Sequence, residues 1–271
     1  MGKYFQDKVA IVTGSSRGIG KATALELAKN GARVVLNGRD LSSLSKVEKA
    51  IKAKGGEALV LCLDVSFPEQ ARQLIEKTIE RFGRLDILIN NAAVSMRGNF
   101  AELDPVVYKT TFGTNVLGCV NVSIPAIPHL RKSAGSILFI SSLAAIRSLP
   151  DQSAYCASKM ALRGIADSIR IEEKASNIHV GLIYVGITEN EGDKKVMTTD
   201  GSFIELKEHS IFKIHSLNNV AKAILKNIRK RRSRTILSTI GKLLSLLQSL
   251  FPSLIDKVML YAVKKNIRDA R

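Results

Sequence analysis

Tryptophan is absent from this sequence, and aromatic residues make up only 5% of its 271 residues. Proteins that bind single-stranded nucleic acid stack bases on aromatic side chains, so this scarcity argues against that class. The three cysteines, Cys62, Cys119 and Cys156, are widely scattered, which argues against a disulfide framework and favours a reducing compartment. The four histidines show no HExxH or comparable spacing. We therefore predict no metal site.

A secretory leader is also missing from the first residues. The stretch MGKYFQDKVAIVTG has too few residues before its first apolar run for the three regions of a signal peptide. Gln6 stands where a myristoylation signal requires Ser or Thr. We therefore expect a cytoplasmic protein.

Acidic residues are scarce in the last fifth of the chain. Residues 213–271 contain fourteen Lys and Arg but only Asp256 and Asp269, so they carry +12 of the total formal charge of +17. The first 212 residues therefore carry only +5. This imbalance indicates that a different kind of segment forms the end of the chain.

Short β-branched runs alternate with helical patterns over the first two thirds of the chain. Residues 20–31, 42–55, 68–83 and 157–175 carry apolar residues at helical spacing. This alternation predicts an α/β fold, a Rossmann-like doubly wound parallel sheet with helices on both faces. Functional loops are then expected at the carboxyl ends of the strands. The predicted strands, buried on both faces, are 8–14, 32–38, 58–65, 85–92, 135–142 and 179–186.

A glycine-rich stretch, TGSSRGIG (13–20), joins the first strand to the first helix. Glycines in such a loop let the backbone turn tightly and approach a pyrophosphate, whose charge the helix N-terminus binds. We therefore predict a dinucleotide site here. Its expected contacts are Gly14, Ser16, Arg17, Gly18, Ile19 and Gly20.

The end of the second strand bears on which dinucleotide binds. An NAD site usually has a carboxylate there for the adenosine ribose, but this sequence has Gly38 followed by Arg39. Arg39 and Arg17 suit a ribose 2′-phosphate, because a guanidinium binds phosphate through a planar fork. Asp40 could still supply the missing acid from a shifted register. We favour NADP(H) over NAD(H).

A tyrosine and a lysine lie four residues apart in YCASK (155–159). On a helix this spacing places Tyr155 and Lys159 on one face, where the ammonium should lower the pKa of the phenol. Tyr155 could then exchange a proton near neutral pH. An ordinary pair of surface neighbours is the alternative for so short a motif.

Together the motifs resemble the short-chain dehydrogenase/reductase family over about residues 6–235. The resemblance rests on TGSSRGIG, Asp64 in LDV, NNAA (90–93), Asn115, Ser142 in ISS, and YCASK. It implies a catalytic group of Asn115, Ser142, Tyr155 and Lys159. It also implies that Asn90 fixes the central strand beside the cofactor. The further cofactor contacts that it implies are Asp64 beside the adenine, Val65, Asn91, Ala92, Tyr155, Lys159 and Thr188.

The resemblance also implies a role for each catalytic residue. Ser142 would polarise the substrate carbonyl, and Tyr155 would give its proton to the developing alkoxide. Lys159 would lower the pKa of Tyr155 and hold the nicotinamide ribose, while Asn115 would support a water. Two departures from the family pattern are Ala93, where the family has glycine, and Val185 before Gly186, where it has proline. The segment 187–215 is polar and has no predicted fold.

The end of the chain predicts an amphipathic helix, interrupted at Pro252 and resumed after it. Lys242 and several serines make it a poor membrane-spanning segment. Its apolar face beside basic residues suits an anionic membrane surface, with the protein's own cleft or a partner subunit as alternatives. Nucleic acid is disfavoured because no recognition motif is present. The apolar positions are 236, 240, 243, 244, 247, 250, 251, 254, 255 and 258.

We therefore predict a catalytic dinucleotide-binding domain at 1–235 and an amphipathic tail at 236–271. The predicted function is NADPH-dependent reduction of a ketone on a hydrophobic, lipid-like small molecule, by a homo-oligomer that attaches peripherally to a membrane. Candidate substrates are a 3-keto sphingoid base, another long-chain 3-keto lipid or a steroid-like ketone. The alternatives are a 3-oxoacyl carrier-protein reductase, whose acidic carrier a basic surface would attract, and a non-catalytic nucleotide-binding scaffold.

Overall fold

Seven parallel strands form the central sheet of this protein in the computed structural model, which describes residues 2–189, 195–205, 214–253, 255–258 and 260–261. The strand order is β3-β2-β1-β4-β5-β6-β9. The order reverses between β1 and β4, and the crevice at such a point is where α/β sheets bind ligands. The strands are β1 Val9–Val12, β2 Arg33–Gly38, β3 Ala58–Cys62, β4 Ile87–Asn90, β5 Ser136–Ser142, β6 His179–Val185 and β9 Arg234–Ile236.

Helices cover both faces of the sheet, as the strand–helix alternation predicted. The fold is therefore the Rossmann-like doubly wound sheet expected from the sequence. The helices are α1 Gly2–Phe5, α2 Gly18–Lys29, α3 Leu41–Lys52, α4 Pro68–Phe82, α5 Pro105–Phe112, α6 Gly118–Ser133, α7 Ser153–Glu172, α8 Leu217–Arg229 and α9 Thr239–Leu250.

Two apolar cores form because alternate residues of each strand point to opposite faces. On one face, strand residues such as Val12 and Leu138 pack with side chains of α2, α3 and α8. On the other, their neighbours Ile11 and Phe139 pack with α4, α6 and α7. Strands buried on both faces require continuous apolar runs, which is why the sequence revealed five of them. The prediction of burial on both faces was wrong for β3, which lies at the edge of the sheet and is mostly half-buried.

The seventh strand was not predicted. β9 pairs in parallel with β6, so that Leu182 lies beside Arg234 and Tyr184 beside Ile236. The predicted domain boundary at residue 235 therefore falls inside a strand. Beyond it, α9 begins at its cap Ser238 and ends before Phe251, and residues 252–253, 255–258 and 260–261 are helical again. The break lies beside Pro252, where the sequence placed it.

A small antiparallel hairpin lies within the segment that the sequence left without a predicted fold. It consists of β7 Lys195–Met197 and β8 Phe203–Glu205. Met197 also bridges to Met96, which follows β4. The rest of this segment, 190–194 and 206–213, lies outside the described residues. No helix in the described part of the chain is long and apolar enough to cross a membrane.

Candidate active site

The glycine-rich loop between β1 and α2 is tied to the end of β4. Thr13 Oγ1 accepts hydrogen bonds from the backbone N–H groups of Asn91 (2.9 Å) and Ala92 (3.0 Å). The Asn91 side-chain amide in turn donates to the carbonyl oxygens of Thr13 (2.9 Å) and Gly14 (3.0 Å). Asn91 and Ala92 therefore hold the loop in place at the carboxyl edge of the sheet.

Three glycines shape this loop. Gly14 has a φ of +62°, and a Cβ there would lie 2.8 Å from Ala92 Cα. A Cβ on Gly20 would lie 2.2 Å from the carbonyl oxygen of Gly14, whereas one on Gly18 would meet nothing within 4 Å. Ile19 turns away from the loop and packs near Leu217 of α8. The open space at the start of α2 therefore fits the pyrophosphate of a dinucleotide.

Arg39 directly follows β2, and its side chain extends toward the segment after β3. An Arg39 guanidinium nitrogen lies 3.6 Å from an Asp64 carboxylate oxygen. Asp40, the alternative acid for the ribose, instead caps α3 and accepts hydrogen bonds from Ser42 and Ser43. These bonds, chiefly that from the Ser43 side chain, lower the pKa of Asp40 to about 2. Asp40 is therefore a helix cap in this structure.

A cavity of about 410 Å³ lies beside the glycine-rich loop. Arg17, Lys21 and Lys46 bring three cationic side chains to its lining, together with the hydroxyls of Ser16 and Ser43. Lys21 and Lys46 were not among the residues predicted from the sequence. Their helical positions on α2 and α3 place them at this cavity, which the local motif alone does not reveal.

The segment after β3 is fixed by its own side chains. Asp64 accepts hydrogen bonds from the backbone N–H (2.9 Å) and hydroxyl (2.8 Å) of Ser66. The carbonyl oxygen of Val65 accepts one from the Asn121 side chain at 3.1 Å. Asn90 points elsewhere, because its buried amide donates to Ser123 of α6 at 3.0 Å. These bonds hold Asp64 and Val65 at the end of β3, and Asn90 anchors β4 to α6.

Asn115 lies in a π-helical turn, Gly113–Leu117, between α5 and α6. Its side chain is fully buried and accepts a hydrogen bond from Val94 N at 2.8 Å. It donates to the Val94 carbonyl and to Ser158 Oγ, both at 2.9 Å. The widened turn thus holds Asn115 against the segment after β4 and against α7, which carries Tyr155 and Lys159.

Ser142, Tyr155 and Lys159 converge at the carboxyl end of β5. The Ser142 side chain lies close enough to the Tyr155 phenol to lower its pKa, and Lys159 Nζ lies 5.8 Å from the centre of the Tyr155 ring. Lys159 Nζ donates to the Ile140 carbonyl oxygen at 2.9 Å. The helical spacing of YCASK therefore produces the shared face that the sequence predicted.

The acidities of this pair differ from the sequence expectation. Tyr155 is partly exposed as a residue, but its phenol lies deep enough that burial raises its pKa, while the Ser142 side chain opposes that rise. Burial also lowers the pKa of Lys159 to about 8. The Lys159 ammonium donates to a carbonyl oxygen, and burial is the largest influence on the pKa of the phenol. Tyr155 is consequently protonated at neutral pH.

Arg97 is a site residue that the sequence did not reveal. Its guanidinium donates to the Met96 carbonyl oxygen at 2.9 Å and to Ser95 Oγ at 3.3 Å. Its positive charge lowers the pKa of both Tyr155 and Cys156, opposing burial. Arg97 follows NNAA closely, but only the fold places it beside Tyr155.

Apolar side chains surround Tyr155 on this side of the site. The hairpin joins the segment after β4 through bonds from Arg97 N to the Met197 carbonyl (2.8 Å) and from Met197 N to the Ser95 carbonyl (2.9 Å). Thr188, which follows β6, forms an isolated β-bridge with His215, and both residues are half-buried. The apolar cluster contains Met96, Leu103, Val107, Tyr108, Ala154 and Met197.

Comparison with known proteins identifies this arrangement. The family model described as short chain dehydrogenase matches residues 8–201. The zebrafish protein "Dehydrogenase/reductase SDR family member 7B" is 30% identical over 269 residues, which cover 96% of this chain and 87% of that protein. "11-beta-hydroxysteroid dehydrogenase 1A" of Arabidopsis thaliana is 32% identical over 257 residues, covering 92% of this chain and 73% of that protein.

Solved structures agree with this assignment. A metagenomic short-chain oxidoreductase in complex with NADP is 28% identical and superposes with a TM-score of 0.70, covering 86% of this chain and 97% of the other. A Burkholderia phymatum short chain dehydrogenase/reductase in complex with NAD shares the fold with a TM-score of 0.80 at 21% identity, covering 92% and 95%. This chain therefore belongs to the short-chain dehydrogenase/reductase family, and it is an oxidoreductase that acts on CH–OH and C=O groups.

Proposed function

We propose that this protein uses NADPH to reduce a ketone to an alcohol on a hydrophobic, lipid-like substrate. The observation that carries the proposal is the convergence of Ser142, Tyr155 and Lys159 beside a loop that fits a pyrophosphate. Because burial keeps Tyr155 protonated at neutral pH, this residue suits proton donation, which is the role that reduction requires.

In the proposed mechanism, the hydroxyls of Ser142 and Tyr155 donate hydrogen bonds to the substrate carbonyl oxygen and draw charge toward it. A bound reduced nicotinamide supplies the hydride that the carbonyl carbon accepts. Tyr155 then transfers its proton to the oxygen, which completes the alcohol. Lys159 stabilises the resulting phenolate and, with Asn115, lies on the route by which Tyr155 regains a proton.

Substitution of Tyr155 tests this proposal. Tyr155→Phe keeps the ring but removes the transferable proton, so turnover with a test ketone should fall by about two to four orders of magnitude. NADPH affinity should stay within about twofold, whereas Lys159→Met should weaken both turnover and cofactor binding. Stopped-flow NADPH oxidation and a fluorescence titration measure the two quantities. Near-normal turnover in Tyr155→Phe would assign the proton to another donor.

The choice of NADP(H) is supported by the charges around the adenosine edge. Arg17, Lys21 and Lys46 line the cavity beside the loop, and Arg39 extends from the end of β2. Asp40, the nearest acid to Arg39 in sequence, serves as a helix cap instead. A ribose 2′-phosphate is the group that such a set of cations would attract.

A hydrophobic substrate is supported by the apolar side chains that contact Tyr155. Met96, Val107 and Met197 are buried there, and Leu103 packs against them. Thioether side chains adapt their shape to irregular apolar ligands. The Arabidopsis relative is named a hydroxysteroid dehydrogenase, which favours a steroid-like ketone, and a 3-keto sphingoid base or another long-chain 3-keto lipid fits the same chemistry.

We further propose a homo-oligomer and a peripheral association with the cytoplasmic face of a membrane. The exposed side chains of Leu117, Ile124 and Met160, near and on α6 and α7, favour burial against a second subunit. The basic tail favours a membrane surface over nucleic acid.

Turnover of an acyl carrier-protein thioester in preference to free lipids would instead favour the carrier-protein reductase, and NADPH binding without any turnover would favour the scaffold.

A further inference from the structure

Helix α9 packs on the protein through Gly241 and a mixed set of half-buried side chains. Gly241 is buried, and a Cβ there would lie 2.5 Å from Leu143 Cδ2 and 3.0 Å from Ile236 Cγ2. Leu244, Ser245, Leu247 and Gln248 are half-buried. The helix therefore buries only part of its apolar surface, whereas an amphipathic surface helix usually turns its apolar side to the core.

A second group of apolar side chains on α9 faces outward. Ile240, Leu243, Leu246 and Leu250 are each more than half exposed, and their spacing places them along one stripe of the helix. Phe251, Val258, Leu260 and Tyr261 continue the exposure beyond the helix end. We call the first four residues with Phe251 the outward stripe. No described residue covers it, so the stripe is an apolar surface open to a partner.

The charges beside the outward stripe are positive. Lys242 and Lys257 are exposed, and Asp256 is the only acidic residue between 237 and 261. The Asp256 carboxylate lies 2.5 Å from the Arg147 guanidinium, so it is neutralised by a residue of the main fold. An anionic surface is therefore complementary to this region.

Helix α9, which carries the outward stripe, lies next to the catalytic loop. Leu143, which packs on Gly241, directly follows Ser142, and Arg147 belongs to the same loop between β5 and α7. Any surface that receives α9 is thus brought close to the carboxyl end of β5. A ligand dissolved in that surface would have a short path to Tyr155.

We propose that α9 docks the protein on an anionic lipid bilayer, with the outward stripe inserted at the boundary of headgroups and acyl chains. This docking places the loop between β5 and α7 near the lipid, and so it rests on the proposed function for its purpose. A bilayer suits the stripe better than a second copy of the chain. Two copies would bring their Lys242 and Lys257 side chains together, on molecules with a net charge of +17 each.

The test uses the full chain and vesicles of phosphatidylcholine with or without about 30% phosphatidylserine. The double variant Leu243→Glu/Leu246→Glu places two charges on the stripe without altering a buried contact. Ile171→Glu, at an exposed site on α7, is the matched control. We expect co-sedimentation of the wild type with anionic vesicles and at least a tenfold weaker partition for the double variant. The control should partition like the wild type, and high salt should weaken binding without abolishing it.

Two results would overturn the docking proposal. One is failure of the wild type to sediment with anionic vesicles, and the other is equal sedimentation of the wild type and the double variant. A dimer that the double variant dissociates, with no vesicle binding by either protein, would assign the stripe to self-association and likewise reject docking.

A second measurement separates this proposal from the proposed function. Both proteins should oxidise NADPH equally with a water-soluble ketone, because the stripe does not contact the catalytic residues. With a long-chain ketone embedded in anionic vesicles, the double variant should be at least fivefold slower. Vesicle binding without turnover of any ketone would reject the proposed reaction and leave docking intact, whereas equal rates on embedded ketone would reject the role of docking in substrate access.

Discussion

At the scale of single residues, burial raises the pKa of Tyr155, and the charge of Arg97 is one of the influences that oppose the rise. Arg97 is held by Ser95 and Met96, and its charge opposes the rise in the pKa of Tyr155 that burial causes. Lys159 and Cys156 are the other ionisable groups close to the phenol. The pKa of Tyr155 therefore depends on burial and on Arg97, which lies outside the YCASK motif.

Arg97→Met should raise the pKa of Tyr155 further, because it removes a stabilising charge from the phenolate. Alcohol oxidation requires the phenolate, so its rate rises with pH through this pKa, and the rise should move to higher pH in the variant. Arg97→Lys keeps the charge and should leave the profile near that of the wild type. Initial rates of oxidation across the alkaline range measure the shift. An unmoved profile in Arg97→Met would mean that the guanidinium does not act on Tyr155.

Cofactor preference is also decided by individual side chains. NADPH should bind at least about tenfold more tightly than NADH, a difference of about 1.4 kcal/mol. Gly38→Asp adds the carboxylate of an NAD site in a position where a Cβ has ordinary contacts, and it should shift the preference toward NADH. Asp40→Asn keeps a helix-capping side chain and should leave the preference unchanged. Fluorescence titrations give both affinities, and equal binding of the two cofactors by the wild type would contradict the assignment.

At the scale of elements, a buried histidine fastens the last strand to the sheet. His179 begins β6, and its ring nitrogens lie 3.3 Å from Ser136 Oγ at the start of β5 and 3.0 Å from the Arg232 carbonyl just before β9. Burial lowers the pKa of His179 from 6.5 to about 4. The folded protein therefore favours the neutral form of the His179 ring.

The free energy of unfolding should consequently depend on this histidine in mildly acidic solution. Between about pH 6.5 and pH 4, His179 is protonated in the unfolded chain but stays neutral in the folded chain. The contribution of His179 to the free energy of unfolding is therefore retained above this window and lost as the pH falls through it. The loss is at most about 3 kcal/mol by linkage. His179→Asn should lower stability at pH 7 and flatten this dependence. Urea unfolding at several pH values tests the prediction, and parallel pH curves for the two proteins would refute it.

The sequence predicted the elements whose physics is local. Five strands were visible because both of their faces are buried, and β3 was visible from its apolar run although it is mostly half-buried. The pair Tyr155 and Lys159 was visible because helical spacing is fixed. β9 was missed because it is three residues long, only half-buried and preceded by a basic run. α6 was not assigned as a helix, and it contains Pro125 and Pro128. Sequence spacing does not report burial, which reversed the expected pKa shift of Tyr155.

The position of Arg97 depends on tertiary structure in the same way. It reaches the site because Met96 bridges to Met197, a residue 101 positions further along the chain. The cap role of Asp40 and the outward stripe of α9 depend likewise on which side of an element the fold covers. The motifs thus indicated the catalytic group, whereas its electrostatic surroundings required the assembled chain.

At the scale of the whole molecule, the C-terminal part of the chain contributes a strand of the sheet, β9, and a surface helix, α9. Two truncated proteins separate the contributions of β9 and α9. A chain ending at Leu237 retains β9 and should fold and bind NADPH. A chain ending at Arg234 loses Thr235, which accepts a hydrogen bond from Asn227 at 2.9 Å, and the half-buried Ile236. It should be less stable by roughly 2 kcal/mol, or a melting temperature lower by about 4–8 °C.

Thermal unfolding of the two truncated proteins measures this difference, with the full chain as reference. Equal melting temperatures would show that β9 adds nothing to the sheet. Vesicle binding should be lost in both, because both lack α9.

The place of β9 beside β6 also bears on how the protein is made. β6 ends at Val185 and β9 begins at Arg234, so about fifty residues are synthesised between two strands that lie side by side. At about 5–20 residues per second, the ribosome takes roughly 2–10 seconds to supply the missing neighbour. During that time the hydrogen-bonding edge of β6 is open to other nascent chains. Production of this protein should therefore depend on chaperones that shield a strand edge until translation is complete.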